Sequence, residues 1–277
     1  MRNKPNPRKR LLGRKLQRLR EDTGMTQAEA GEPLRFSTSK LSRIELGHLP
    51  KYNEFLALLD RYGVIVSDYD GWVRQYDRAL EKGWWHAYGL NDKGYVPLEA
   101  DADEVRTYQL SYIPGLLQTE PWMRAAFACA RMPLPPRRQQ NEIAVRLRRQ
   151  ERLISDNPLT LHAIVDESVL WRRDLPSAEM RQQLEHLIEC AALPNVTLQI
   201  ISLDFGIHPG RDGGFTVLSY PSFGEPDIAF VEHGIGAMQF EKEHEVKPAR
   251  LAFDHLADLA FDEEDSIRLI QRVIAET

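Results

Sequence analysis

TQAEAGEPLRFSTSKLSRIELG, residues 26–47, is the stretch on which the reading of this 277-residue chain turns. Thr26 offers a side-chain oxygen ahead of a helix and Glu29 follows three residues later, a spacing that satisfies two orphan N–H groups reciprocally at a helix start. Ser37 caps a further short helix running to Glu45, with Leu41 and Ile44 facing inward while Ser39, Ser42 and Arg43 project outward. Gly47 closes it. Small polar side chains and one arginine on the outer face of a short helix, just after another short helix, suit insertion into a major groove, where bulk would block the fit.

Working outward, Leu12, Leu16 and Leu19 recur at helical spacing with Arg14, Lys15, Arg18 and Arg20 on other faces, which predicts a first amphipathic helix ending at Gly24. A fourth helix is expected from Asn53 to Tyr62, with Phe55, Leu56, Leu58 and Leu59 as its apolar surface. Ahead of all this, Arg2, Lys4, Arg8, Lys9 and Arg10 stand in a proline-containing stretch without apolar periodicity. Residues 1–9 therefore read as a basic flexible arm, either following phosphates or a minor groove or serving as a solubilising tail. An all-α domain is expected over 10–66.

The segment LGRKLQRLREDTGMTQAEAGEPLRFSTSKLSRIELGHLP, residues 12–50, resembles the repressor-type (xenobiotic-response-element, Cro-like) helix-turn-helix family. That resemblance implies that Gln27 touches a phosphate and buttresses the third helix, and that Thr38, Ser39 and Arg43 contact bases. It implies supporting contacts from Lys40 and Ser42, an approach of Lys51 and Asn53 to the DNA backbone, and an ion pair between Arg20 and Glu45. Three departures bear on the angle between the helices. Pro33 lies late in the second helix, Arg35 holds the turn position usually given to glycine, and Ala30 with Gly31 replaces a larger apolar pair.

Charge divides the chain. Residues 1–51 hold thirteen Lys or Arg against five Asp or Glu, out of 36 and 41 in the whole, which leaves 23 basic and 36 acidic residues in 52–277. The basic end draws a polyanion through counterion release, and the acidic remainder is repelled by it and stays free for other contacts. At 42% hydrophobic and 28% charged residues the composition is that of an ordinary globular protein, and the length favours more than one core. The basic start runs into another charged stretch rather than an apolar segment, and no apolar run is long enough to span a bilayer, so a cytoplasmic, nucleoid-associated protein without membrane contact is expected. Cys129 and Cys190 lack the spacing of a metal knuckle or redox pair and read as reduced thiols.

Beyond the front domain, a helix from Tyr69 to Gly83 and then a loop over 89–104 read as a linker spanning 67–104. Trp84 and Trp85 are adjacent, so one of them is expected against another domain or subunit. From 105 onward strands and helices are mixed. Apolar residues alternate over Glu104–Leu117 up to a turn at Pro114 and Gly115, and helices are expected at Glu120–Arg131 and Arg137–Ser155. The strand Leu159–Val165, the helix Ser177–Ala192 capped by Ser177 and the strand Val196–Ile201 make a βαβ unit, followed by an antiparallel meander of Phe215–Ser219, Ile228–Val231 and Ala237–Phe240. Two helices, Val246–Leu259 and Glu263–Ala275, close the chain. The expected class is α+β, an all-α helix-turn-helix domain followed by a mixed α/β domain with a small mixed sheet. The arginines of 137–155 interleave with Glu142 and Glu151 and read as salt-bridged structure rather than a second polyanion site.

GWW at 83, IPGLLQT at 113, RLRRQERL at 146, VDESVLWR at 165, MRQQLEHL at 180 and HPG at 208 give residues 83–275 a resemblance to the C-terminal domain of actinobacterial regulators of the WhiJ-like kind. It implies a regulator paired with a small, genetically linked protein that docks on this domain, in some cases in an antitoxin-like arrangement. Trp84, Trp85 and His208 are the candidates for a partner or dimer interface.

Enzyme chemistry has little to stand on. The histidines are scattered without a metal spacing, phosphate-loop motifs are absent, and Asp166 and Glu167, adjacent in a strand, point to opposite faces. No cofactor or metal is expected. The reading is a dimeric, sequence-specific DNA-binding regulator on a palindromic operator, because one helix-turn-helix unit covers too few bases. Its alternatives are an antitoxin-like interaction module with autoregulatory DNA binding and a small-molecule-responsive repressor.

Overall fold

Leu12 and Leu16 stand about one turn apart on α1 (Pro7–Asp22), and both are buried. In this computed structural model, which describes residues 7–92, 94–129 and 134–277, they open a helical core. It is shared with Ala30 of α2 (Gln27–Gly31), Leu41 and Ile44 of α3 (Thr38–Glu45), and Phe55, Leu58 and Leu59 of α4 (Tyr52–Arg61). α5 (Tyr69–Leu80) adds Tyr76 and Ala79 to the same cluster. The Tyr76 ring stacks on Phe55 with 4.6 Å between centroids, and its hydroxyl donates to the Pro50 carbonyl at 2.7 Å. Burying one such side chain stabilises by about 1.5–3 kcal/mol. The helix read as a linker from residue 67 is thus a wall of the first core.

α1 starts at Pro7, so Arg8 and Lys9 are helical rather than part of an arm. Proline fits a helix start because its missing N–H has no partner there, and Arg8 is anchored by Asp101 at 2.7 Å and Glu81 at 2.8 Å. Residues 1–6 of the expected arm, with Arg2 and Lys4, lie outside the described residues. Residues 95–101 also depart from the sequence reading. Tyr95–Asp101 forms α6, with Pro97 in the first turn, where N–H groups lack helical partners anyway, and with Leu98 buried.

The second unit comprises Ala102–Pro221 and Pro226–Thr277, the first unit taking residues up to Asp101 together with Ser222–Glu225. β1 (Glu104–Gln109) is followed by α7 (Glu120–Ala128), α8 (Pro136–Gln150), β2 (Thr160–Asp166), α9 (Ser168–Trp171), α10 (Ser177–Ala191) and β3 (Val196–Ile201). Then come β4 (Phe215–Tyr220), β5 (Glu225–His233), β6 (Gly236–Phe240), α11 (Glu243–Leu259) and α12 (Glu263–Glu276). Arg131, the expected end of α7, falls outside the described residues. The strands form a six-stranded sheet in the order β3-β2-β1-β4-β5-β6. β1, β2 and β3 run parallel, with Tyr108 opposite Ile164 and Ala163 opposite Leu198, while β4 runs antiparallel to β1 and β6 to β5.

Parallel neighbours need long crossovers. Here α7 with α8, and α9 with α10, supply them. Tyr108, Ile164 and Ile201 on the sheet pack with Phe253 and Leu256 of α11. Ser177, expected as a cap, is instead the first residue of α10 behind Pro176. Asp262 caps α12 by accepting from the Asp265 N–H at 2.8 Å. No helix among the described residues is long and apolar enough to cross a membrane.

Candidate nucleic-acid interface

The presentation of α3 begins with its two caps. Thr26 Oγ1 accepts from the Glu29 N–H at 3.2 Å while Glu29 accepts from the Thr26 N–H at 2.8 Å, which fixes the start of α2. α2 then stops at Gly31 and the chain tightens into one 3₁₀ turn, Glu32–Leu34, that carries Pro33. Arg35 follows with φ 55°, the one non-glycine in the left-handed region among the described residues. A Cβ at Gly31 would meet the Phe36 carbonyl oxygen at 2.8 Å. In this turn the close backbone approach claims the glycine, and the left-handed position is left to arginine. Ser37 resumes extended backbone and accepts from the Lys40 N–H at 3.2 Å, starting α3.

Beneath α3 lies a buried charge pair. Arg20 Nε donates to Glu45 Oε1 at 2.6 Å, and another Arg20 nitrogen reaches Glu45 Oε2 at 3.2 Å. A third donates to the Met25 carbonyl at 2.7 Å, and Gln27 Nε2 donates to Glu45 Oε2 at 2.6 Å. Arg20 is 7% exposed and Glu45 4%. The hydrogen bond it donates to Glu45 holds the Arg20 pKa above its ordinary value against the opposing effect of burial. Gln27, given both a phosphate and a buttressing role in the sequence reading, uses its amide nitrogen on α3 itself.

Gly13 supplies a part of the mount that helical periodicity did not reveal. A Cβ there would sit 2.5 Å from the Glu45 carbonyl oxygen and 2.7 Å from the Gly47 nitrogen, so α1 and the end of α3 meet backbone to backbone. Gly47, at φ +96°, completes that contact against Arg10. A lone glycine inside an amphipathic helix was the available signal, since it costs helix stability unless something must come close.

On the outer face Thr38, Ser39 and Arg43 are exposed and Ser42 half-buried. None of the four makes a side-chain hydrogen bond or ion pair with a described residue. The first turn of α3 contains no acidic residue, so no carboxylate there opposes the positive end of its dipole. Lys51 and Asn53 are exposed at the start of α4. Lys40 differs from the rest of the row. Its Nζ sits 2.6 Å from Glu54 Oε1 and 3.8 Å from the centre of the Phe36 ring, a partnered position for a side chain expected to support DNA contacts.

The remaining candidates belong elsewhere. Trp85 is 2% exposed, its ring folded so closely over Gly83 that a Cβ there would touch it at 2.1 Å, and its Nε1 donates to Asp92 at 3.2 Å. Trp84 is half-buried, edge-on to Trp85 and Tyr88. His208 is buried in the second unit, its Nε2 3.8 Å from Asp166 Oδ2 and its ring edge-on to Tyr108. Trp85 and His208 therefore offer little surface to a partner, because both rings are enclosed by the chain's own residues.

Asp166 accepts from the Ser168 N–H at 3.0 Å, whereas Glu167 accepts from Trp171 Nε1 at 3.0 Å, Ser202 Oγ at 3.0 Å and the Leu203 N–H at 2.9 Å. Burial pushes the Glu167 pKa up, but those bonds and Arg272 hold it below the ordinary carboxylate value. Both acids fasten loops.

The comparisons with known proteins divide along the same lines. The family described as a helix-turn-helix domain matches residues 11–68, and the family described as a domain of unknown function, DUF5753, matches residues 93–272. No curated protein and no solved structure matches the chain.

Proposed function

We propose, from the premise that this chain belongs to the DUF5753 family and carries a helix-turn-helix domain ahead of it, that it is a sequence-specific DNA-binding regulator whose α3 reads base edges in a major groove. One observation carries the reading. Thr38, Ser39, Ser42 and Arg43 form an outward row with no partner among the described residues, on a helix whose inner side is fixed by the Arg20, Gln27 and Glu45 network. Side chains held ready but uncommitted suit direct readout, with Arg43 fitted to guanine and the small side chains allowing close approach. Lys51 and Asn53 stand where they would meet the phosphate backbone and set the register.

The finer reading is a cytoplasmic homodimer of the Cro-like repressor type on a palindromic operator, two reading helices being spaced by about one turn of DNA. The second unit, with its likeness to WhiJ-type regulators, then serves regulation, docking a small partner protein and performing no catalysis of its own. Selection of duplexes from a random pool tests the central claim. The wild-type chain is expected to enrich one motif, and a Thr38→Ala, Ser39→Ala, Arg43→Ala variant to enrich none. Enrichment of the same motif by the triple variant would sink it.

A further inference from the structure

A pocket of about 510 Å³ opens in the first unit between α1 and α5. Arg8, Leu11, Leu12 and Lys15 line it from α1, at the spacing of one helical face. Gln75 and Arg78 face them from α5, with Glu81 just beyond its end. The volume lies within the roughly 300–1,000 Å³ of small-molecule sites.

Its charges are unevenly settled. Arg8 is spent on Glu81 and Asp101, while Lys15 and Arg78 have no ion pair or hydrogen bond with a described residue. Gln75 donates its Nε2 to the Gly71 carbonyl at 3.4 Å, and its Oε1 is buried without a donor.

We propose that this pocket binds a small amphipathic organic anion. Its acid group sits between Lys15 and Arg78, and its apolar body lies on Leu11 and Leu12. α1 carries this pocket on one face and the backbone of α3 on the opposite one, through the close contact at Gly13. An occupant that shifts α1 therefore moves the end of α3. This coupling rests on the DNA-reading role of α3, whereas ligand binding does not, so the two are measured separately.

The probe is 8-anilinonaphthalene-1-sulfonate, which joins an anion, an apolar body and one N–H, titrated into the full chain by fluorescence. N-phenyl-1-naphthylamine, which lacks the sulfonate, is the control. Saturation at one equivalent is expected, weakened about tenfold or more in Lys15→Gln/Arg78→Gln, with the neutral control bound alike by both proteins. Unchanged near-ultraviolet circular dichroism shows that the double variant is folded and that the probe is not reporting a loosened core.

The absence of saturable binding, several equivalents per chain, or equal affinity for the sulfonate in the double variant would overturn the proposal. With DNA present, the sulfonate is expected to change operator affinity of the wild type and not of the double variant. Binding without that change would overturn the coupling alone, and failure of every version to select DNA would count against the reading of α3 rather than the pocket.

Discussion

Two arginine-bearing helices of this molecule put the same side chain to opposite uses. α8 carries five arginines and α3 only one, so cation counting would choose α8 as the polyanion site. Partners reverse the choice along the second half of α8, although Arg137 and Arg138 in its first turn are exposed with no side-chain ion pair or hydrogen bond to a described residue. Arg146 donates to Gln118 Oε1 at 2.9 Å and lies 4.6 Å over the Phe127 ring, and burial, with Arg149 beside it, lowers its pKa. Arg148 pairs with Glu151, and Arg152, just past the helix, donates to the Ala102 carbonyl at 2.7 Å. Arg43 has none of this. A guanidinium already matched inside the fold has little left for DNA, and its removal registers in stability. One left unmatched at the surface has only an external partner to lose.

The largest expected effect comes from the buried pair that supports α3. Glu45→Ala strands Arg20 without its counter-charge, and breaking a buried pair from one side costs about 3–5 kcal/mol. The first unit is expected to unfold at distinctly lower denaturant, and an unchanged transition would mean that the ion pair is not what holds α3. Next come the two arginines themselves. Arg43→Ala is expected to leave stability within about 0.5 kcal/mol of wild type and to lose about 1–3 kcal/mol of discrimination at one base pair. A loss spread evenly over all sequences would make it a phosphate contact instead. Arg146→Ala should do the reverse, lowering stability of the second unit by about 1–3 kcal/mol with DNA affinity intact. Weaker DNA binding by a fully stable Arg146→Ala would break the comparison.

A smaller gain is expected at the turn. Arg35 holds a left-handed conformation that costs a residue with a Cβ roughly 1 kcal/mol, so Arg35→Gly should stabilise the first unit by about that much. Thermal melting decides it, and a loss of stability would show that the arginine makes a compensating contact.

Sequence reasoning went furthest where the governing interactions are local. The capping box at Thr26, the cap at Ser37 and the 3.6-residue spacing of Leu41 and Ile44 each lie within a few residues, and all are present in the fold. The short apolar run of β2 and the alternation of β3 likewise marked strands. What was not legible depends on residues far apart. Pro97 suggested a loop because nothing nearby shows that Leu98 is buried. Tyr76 could join the first core only once Pro50 and Phe55 were placed beside it. One of the adjacent Trp84 and Trp85 was expected against another domain or subunit, whereas Gly83 makes room for the Trp85 ring to fold back. In the candidate interface the identities were visible and the occupancy was not. The spacing placed Lys40 on the row but could not show that Glu54, fourteen residues on, holds its ammonium.

That pair gives the smallest and most discriminating test, because Lys40 stands between the two classes of cation. The hydrogen bond from Lys40, outweighing burial and aided by the Lys51 N–H, holds the Glu54 pKa below its ordinary value of 4.5. A carboxylate depressed in the folded state stabilises fully above its unfolded value, and that contribution fades as pH falls through 4.5 and on past the folded value. Glu54→Gln should therefore cost about 0.2–1 kcal/mol at pH 7, the range of a partly exposed pair, and progressively less as the solution is acidified through that window. An equal cost at all pH values would assign the loss to packing. At neutral pH the same substitution releases Lys40. If its ammonium then reaches a phosphate, the dependence of log affinity on log salt should steepen by about one unit, moving Lys40 from the satisfied class to the free one. An unchanged slope would place it off the DNA backbone and confine the reading face to Thr38, Ser39, Ser42 and Arg43.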